Sequence, residues 1–251
     1  MMDSSSEHPN TIFPGLRSWW WATAALSIFA TTTAAGMAAK SFGPLAPELG
    51  LDIFLSHGRN SALTALSEAI HYGLGPAGAL ALALMICGYL LWYRRRPVQA
   101  LAFGSVVAVG WLAATAGKIL VSRSRPPADA TGALIAETGN NSFPSGHTAF
   151  AVSLALAAVL VLAHGTGQRL TVLAAGSLFA TVVAFSRMYL GVHYLSDVIG
   201  SVLISSAAIL AWLPVWNKLI APRISAIGLI RGFDAKTLDR RRRHRTSNHA
   251  G

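Results

Sequence analysis

Charge is what this chain most lacks: Asp, Glu, Lys and Arg make up 12% of its 251 residues, against about 25% in soluble domains. Hydrophobic residues supply 53%, and the length of the uncharged runs sets aside an all-α globular protein with buried helices. A single cysteine, Cys87, excludes an intramolecular disulfide, and its place inside an apolar run says little about redox compartment. Sustained polar–apolar alternation is missing too, and the apolar runs are too long and continuous for barrel strands. There is no internal repeat of fixed period. Acidic residues are scarce, 10 against 20 Lys and Arg. Because the basic excess follows particular loops and no nucleic-acid-binding motif accompanies it, a nucleic-acid partner is not expected.

What is present is a set of apolar runs at residues 19–39, 73–93, 98–117, 148–163, 170–185 and 198–216. A helix needs about 20 residues to cross a hydrocarbon core. The expected fold is therefore all-α, an integral membrane bundle of six transmembrane helices. The fourth and fifth runs look short because flanking motif residues belong to the helix ends. Arg17 before an apolar run resembles a signal peptide, but the run exceeds an apolar signal core and Trp19-Trp20-Trp21 reads as an interfacial anchor. With the N-terminus inside, fourteen Lys and Arg fall on the inner side and six on the outer. Four of those six lie in or among the motifs described next, so the loop charges place both termini in the cytoplasm. The expected divisions are a cytoplasmic segment at 1–18, a membrane domain at 19–217 and a basic cytoplasmic tail at 218–251. That tail, with residues 240–243 and Arg245, either binds anionic lipid or only fixes topology.

Three motifs land on the same, extracytoplasmic face. Lys118 is followed seven residues later by Arg125-Pro126, with Pro126-Pro127 expected to end the helix. The two cations suit the nonbridging oxygens of a phosphoryl group, and Arg123 is a competing donor placed outside direct contact. Pro144-Ser145-Gly146-His147 precedes an apolar run, so its N–H groups belong to a helix N-terminus, a natural anion site. Ser145 can cap that helix and donate to phosphate, Gly146 lets the backbone come close, and His147 stands where it can protonate a leaving oxygen. Ser186-Arg187 is followed by His193 and Asp197, four residues apart and on one face if the segment is helical. Asp197 can then accept a hydrogen bond from one imidazole nitrogen and leave the other as a nucleophile, while Arg187 offers a two-pronged grip on phosphate. Each motif alone has a plain structural reading as an anchor, a cap or a helix-start pair. Two histidines and an aspartate could also bind zinc, but Lys118, Arg125 and Arg187 would repel a divalent ion.

The order and spacing from Lys118 to Asp197 resemble the three-part signature of the type 2 phosphatidic acid phosphatase superfamily, the lipid phosphate phosphatases, related to vanadium haloperoxidases and bacterial acid phosphatases. The resemblance implies that His193 forms a phosphohistidine, Asp197 orients it, and His147 is the general acid that then helps activate water. It also implies that Lys118, Arg125, Ser145, Gly146 and Arg187 hold the phosphoryl oxygens with no metal or cofactor.

A site at the outer bilayer surface favours a lipid phosphate, first a polyprenyl diphosphate, with phosphatidylglycerophosphate or phosphatidate as the alternative. In the outer loop, Leu63, Leu66 and Ile70 at helical spacing mark either an interfacial helix bordering an entrance or a packed lid. A transporter would carry charge deep within its spans, and these mid-span regions are almost free of it. A vanadate-dependent peroxidase would be separated by turnover with vanadate and halide. Oligomeric state is not legible in the sequence.

Overall fold

Uninterrupted apolar runs can satisfy their backbone in lipid only as helices or closed barrels. The computed structural model describes residues 12–16, 18–137 and 141–226, and these are mostly helical, with no strand among them. In chain order the helices are α1 (Trp20–Ser41), α2 (Ala46–His57), α3 (Ser61–Gly73), α4 (Pro76–Gly88), α5 (Pro97–Val121), α6 (Ala128–Thr131), α7 (Gly146–Ala157), α8 (Thr166–Tyr189), α9 (Leu195–Val215) and α10 (Ala221–Ala226). Helices α4, α7 and α9 each run on through a π-helical turn, at Tyr89–Tyr93, Ala158–Leu162 and Trp216–Ile220.

Five segments are long and apolar enough to cross a bilayer: Trp20–Ser41, Pro76–Tyr93, Pro97–Val121, Thr166–Tyr189 and Leu195–Ile224. The remaining expected span is the shorter apolar helix Gly146–Leu162. Both short runs of the sequence do extend into their motifs, since α7 begins at Gly146 and α8 includes Ser186 and Arg187. The shortness of α7 follows from its surroundings: it packs against α5, α8 and α9, and every residue from Thr148 to Ser153 is buried. Small residues bring these helices close, as is usual in membranes. A Cβ at Gly110 of α5 would fall 2.2 Å from the Ser153 hydroxyl oxygen, and one at Gly176 of α8 would fall 2.7 Å from the Ala155 Cβ.

Large apolar side chains face outward on α4, α5 and α8, among them Leu84, Met85, Leu112, Ile119 and Leu178, as a lipid-facing surface requires. Trp19, Trp20 and Trp21 are exposed at the start of α1, and Lys218 sits 4.9 Å over the Trp19 ring. Trp92 and Tyr93 are exposed at the end of α4, so aromatics rim this end of the bundle. The three motifs occupy the other end. Arg17 and the tail beyond residue 226 lie outside the described residues.

Over the motif end lies the loop between α1 and α4, which folds into α2 and α3. Asn60 caps α3 by accepting from the Leu63 N–H at 3.0 Å, and its own N–H donates to the Tyr189 hydroxyl at 2.8 Å. Arg59 donates to the carbonyls of Tyr189 and Gly132. Helix α3 therefore packs on α8 as a fixed cover, with Ser67 buried and Leu63 and Ile70 half-buried. Leu66 does not share that packed face; it is 49% exposed.

Beneath the cover, Phe143 is wedged between α1 and α9. A Cβ at Gly36 would fall 2.6 Å from its ring and one at Gly200 2.4 Å from it. Gly200→Ala is expected to displace Phe143 and the loop behind it, at an overpacking cost of about 1–3 kcal/mol, read as a lower unfolding midpoint in detergent. Asp52 on α2 is fully buried and neither carboxyl oxygen has a hydrogen-bond partner. Burial, then the charges of Asp197 and Glu48, push it up to about 7 against the pull of Arg123. A carboxyl raised in the folded state contributes its stability at acidic pH and loses it as pH rises through that value. Thermal unfolding of Asp52→Asn should match the wild type near about pH 4 and exceed it by several degrees near about pH 8.

Candidate active site

The first motif is set by a turn that the sequence did not announce. Helix α5 ends at Val121 rather than at the Pro126-Pro127 pair, because Ser122 adopts a left-handed conformation (φ 49°) and its N–H closes on the Lys118 carbonyl at 2.9 Å. The chain leaves the helix there and carries two arginines inward. Arg125 reaches the Val192 carbonyl at 2.9 Å and lies 3.2 Å from His193 Nε2. Arg123 goes behind His193, to Asp197. Lys118, still on α5, donates to the Asn141 carbonyl at 2.6 Å.

The second motif opens α7. Ser145 is the N-cap residue, but its side chain accepts no backbone N–H, contrary to the capping expected of it. Its buried hydroxyl accepts instead from the Thr148 hydroxyl at 3.1 Å. Gly146 faces the cavity: a Cβ there would lie 3.6 Å from Lys118 Cε. His147 Nε2 is 3.0 Å from the His71 carbonyl, a contact that assigns the ring proton to Nε2, and the two imidazoles stack at 5.5 Å.

In the third motif His193 and Asp197 meet without sharing a helix, since α9 starts only at Leu195. Asp197 sits in its first turn and reaches back as a cap, accepting the Tyr194 N–H at 2.9 Å. The same oxygen takes the Ser142 hydroxyl at 2.7 Å and lies 3.4 Å from His193 Nδ1. Nδ1 then carries the imidazole proton, and the Nε2 lone pair faces Arg125. Burial, then the charges of Lys118, Arg125 and Arg187, hold the His193 pKa well below its usual value, so the ring is neutral.

These groups line a cavity of about 740 Å³, within the usual range of ligand sites. Lys118, Arg125, Gly146, His147 and His193 form its polar wall, and Leu74, Pro76 and Trp111 an apolar one. Ser145, Arg187 and Asp197 are buried behind that lining. A carboxylate the sequence reading overlooked sits at the centre: Glu137 pairs with Arg125 at 2.6 Å and with Arg187. Burial opposes its charge, but Arg187 and Arg125, with His193 and His147, outweigh burial and keep its pKa below the ordinary range. Also overlooked was His71 of α3, whose Nδ1 is 3.1 Å from Arg187. Only its place in a helical stretch of the outer loop hinted at this. Ser142 and Glu48 touch the Asp197 network and carried no motif signal at all. Among the described residues no group of three His, Cys, Asp or Glu is arranged to hold a metal ion.

Three comparisons place the chain among known proteins. Decaprenylphosphoryl-5-phosphoribose phosphatase of Mycolicibacterium smegmatis is 36% identical over 142 residues, which is 57% of this chain and 72% of that protein. The crystal structure of a transmembrane PAP2-type phosphatidylglycerolphosphate phosphatase from Bacillus subtilis shares the fold, with a TM-score of 0.62 at 24% identity, over 80% of this chain and 98% of that one. The sequence model of the PAP2 superfamily matches residues 77–221, a stretch that holds all three motifs and every helix that carries them, and the chain belongs to that superfamily.

Proposed function

We propose that this membrane phosphatase removes a phosphate from a polyprenyl-anchored lipid through a phosphohistidine on His193, without a metal. The observation that carries the reading is the orientation of His193: Nδ1 toward a buried carboxylate, Nε2 toward the Arg125 guanidinium. In such a site Lys118, Arg125 and Arg187 take the nonbridging oxygens, joined by Ser145 and the N–H groups at Gly146. Nε2 attacks phosphorus while Asp197 stabilises the growing imidazolium charge. The arriving phosphate, by its own negative charge, favours protonation of the adjacent His147, which gives that proton to the leaving oxygen. His147 then withdraws a proton from the water that attacks the phosphohistidine, and phosphate and free His193 result.

The polyprenyl class is supported by the 36% identical relative, whose substrate carries a decaprenyl chain. A polyprenyl diphosphate and a polyprenyl-linked sugar phosphate both present a terminal phosphate on such a chain, and the apolar wall at Leu74, Pro76 and Trp111 suits a substrate held partly in lipid. Loop charge supports an extracytoplasmic site, since Arg94, Arg95 and Arg96 gather at the opposite end of the bundle.

With the protein in detergent and chelator in excess, phosphate release is expected from a polyprenyl diphosphate or a polyprenylphosphoryl sugar phosphate, faster than from phosphatidate or phosphatidylglycerophosphate. It is expected to fall by about 1,000-fold or more in His193→Ala, as loss of a nucleophile does elsewhere. Loss of activity with chelator would contradict the mechanism, and faster turnover of a glycerophospholipid would contradict the substrate class. Glu137 holds two of the cations that phosphate needs, so anion and carboxylate must compete. Glu137→Gln is expected to tighten competitive inhibition by inorganic phosphate about 3- to 10-fold, measured in the same assay.

A further inference from the structure

Behind the nucleophile lies a second ionic network, built on Arg123 and Glu48, neither of which is a signature residue of the three motifs. Asp197 turns one oxygen toward His193 and the other, Oδ1, toward Arg123, whose guanidinium donates to it at 3.0 Å. The same guanidinium donates to the Ser196 hydroxyl at 2.6 Å and, through its other terminal nitrogen, to Glu48 at 2.8 Å. Its central carbon also lies over the Tyr194 ring, 4.2 Å from the centroid. Arg123 is 2% exposed. Glu48, in the first turn of α2, uses its second oxygen to accept the Ser196 N–H at 2.9 Å, at the start of α9. One carboxylate of the outer loop thus grips both the arginine and the helix turn that hold Asp197.

We propose that Arg123 and Glu48 are positioning residues for His193: Glu48, carried by the loop helix α2, locks the Arg123 guanidinium, which holds Asp197 as an oriented, charged carboxylate. This rests on the reading of His193 as nucleophile. The physical case is burial. Asp197 is fully buried, and a carboxylate taken out of water stays charged only if opposite charge and hydrogen bonds replace the solvent. Ser142 and the Tyr194 N–H supply dipoles to one oxygen. Arg123 supplies the opposing charge that bonds to the carboxylate directly. The other charged or titratable groups around it are His193, Tyr194, Glu48 and Asp52, with the cations Lys118 and Arg125 on the far side of His193 and not bonded to the carboxylate. Without Arg123 the carboxylate faces two further acids, takes up a proton more readily, and no longer stabilises imidazolium character on His193.

The roles of the two arginines therefore divide along the chain. Arg125 meets His193 on its reacting side and Arg123 meets Asp197 on the far side, two residues apart on an extended segment. A lysine at 123 could keep the charge, but it could not span Asp197, Ser196 and Glu48 together.

The test uses the full chain in detergent as wild type, Arg123→Gln, Arg123→Lys, Glu48→Gln and Asp197→Asn. It follows kcat and KM against pH, inhibition by inorganic phosphate, the thermal midpoint, and the NMR signal of the His193 Nδ1 proton in 15N-histidine protein. Arg123→Gln is expected to lower kcat about 10- to 100-fold, the rate equivalent of one charge-assisted hydrogen bond, with KM and phosphate inhibition within about 3-fold. The acidic limb of its kcat profile should move to higher pH. Arg123→Lys should recover part of the loss, Glu48→Gln should lower kcat by less, and both Gln variants should move the Nδ1 signal toward its position in Asp197→Asn. Wild-type kcat and an unmoved acidic limb in both Gln variants would overturn the proposal. So would equal losses in Arg123→Gln and Arg123→Lys that track a lowered midpoint and lost phosphate inhibition. If the wild type hydrolyses no phosphate ester, the phosphatase reading fails by itself, and an Nδ1 signal unchanged in Arg123→Gln then separately refutes the brace.

Discussion

One buried carboxylate ties this site together. Asp197 receives the Ser142 hydroxyl ahead of the second motif, Arg123 inside the first, and the Tyr194 N–H within its own helix start, and it stands behind His193. Segments from three separate parts of the chain are thus held against a single group. A carboxylate in such a place must be fully satisfied, because each missing partner would leave charge uncompensated in a low-dielectric interior. That demand makes the arrangement of the motif loops specific, while apolar packing by itself would leave them free to slide. Phe143 adds the steric counterpart, locked between Gly36 and Gly200 immediately beside Ser142.

In front of His193 the electrostatics run the other way. Lys118 and Arg125 line one cavity with Arg187 buried just behind it, and like charges so close require an anion among them. Glu137 provides one, pairing with both arginines. One carboxylate among three cations leaves positive charge uncompensated, which under the proposed mechanism a phosphoryl group, with more oxygens and more charge, would meet. The two carboxylates differ in how they are held: Asp197 by hydrogen bonds from backbone and side chains, Glu137 by Arg125 and Arg187 with His71 nearby.

Much of this was legible in the sequence, and the reasons are physical. Membrane helices follow from uncharged length, so the spans were visible even where α7 proved short, because its start was already marked by the Pro144-Ser145-Gly146-His147 motif. The eight signature residues share one end of the bundle because their spacing places each near a helix terminus. What the sequence could not convey were contacts made across long separations by residues with no local pattern. Glu48 looks like an ordinary first-turn acid, and Glu137 like a loop acid. The conformation of Ser122, the side-chain cap that Ser145 does not make, and the start of α9 after His193 all depend on the folded surroundings. The outer-loop stripe was half right, since tertiary contacts with Tyr189 decide how α3 sits.

The central claim is that phosphorus passes through His193. Rapid quenching of the enzyme with a substrate 32P-labelled in its terminal phosphate tests it most directly. The account predicts a transient protein-bound label that is acid-labile and base-stable, maps to the peptide containing His193, and appears in the presence of chelator. Full turnover with no label on protein at any quench time, or label on another residue, would contradict it.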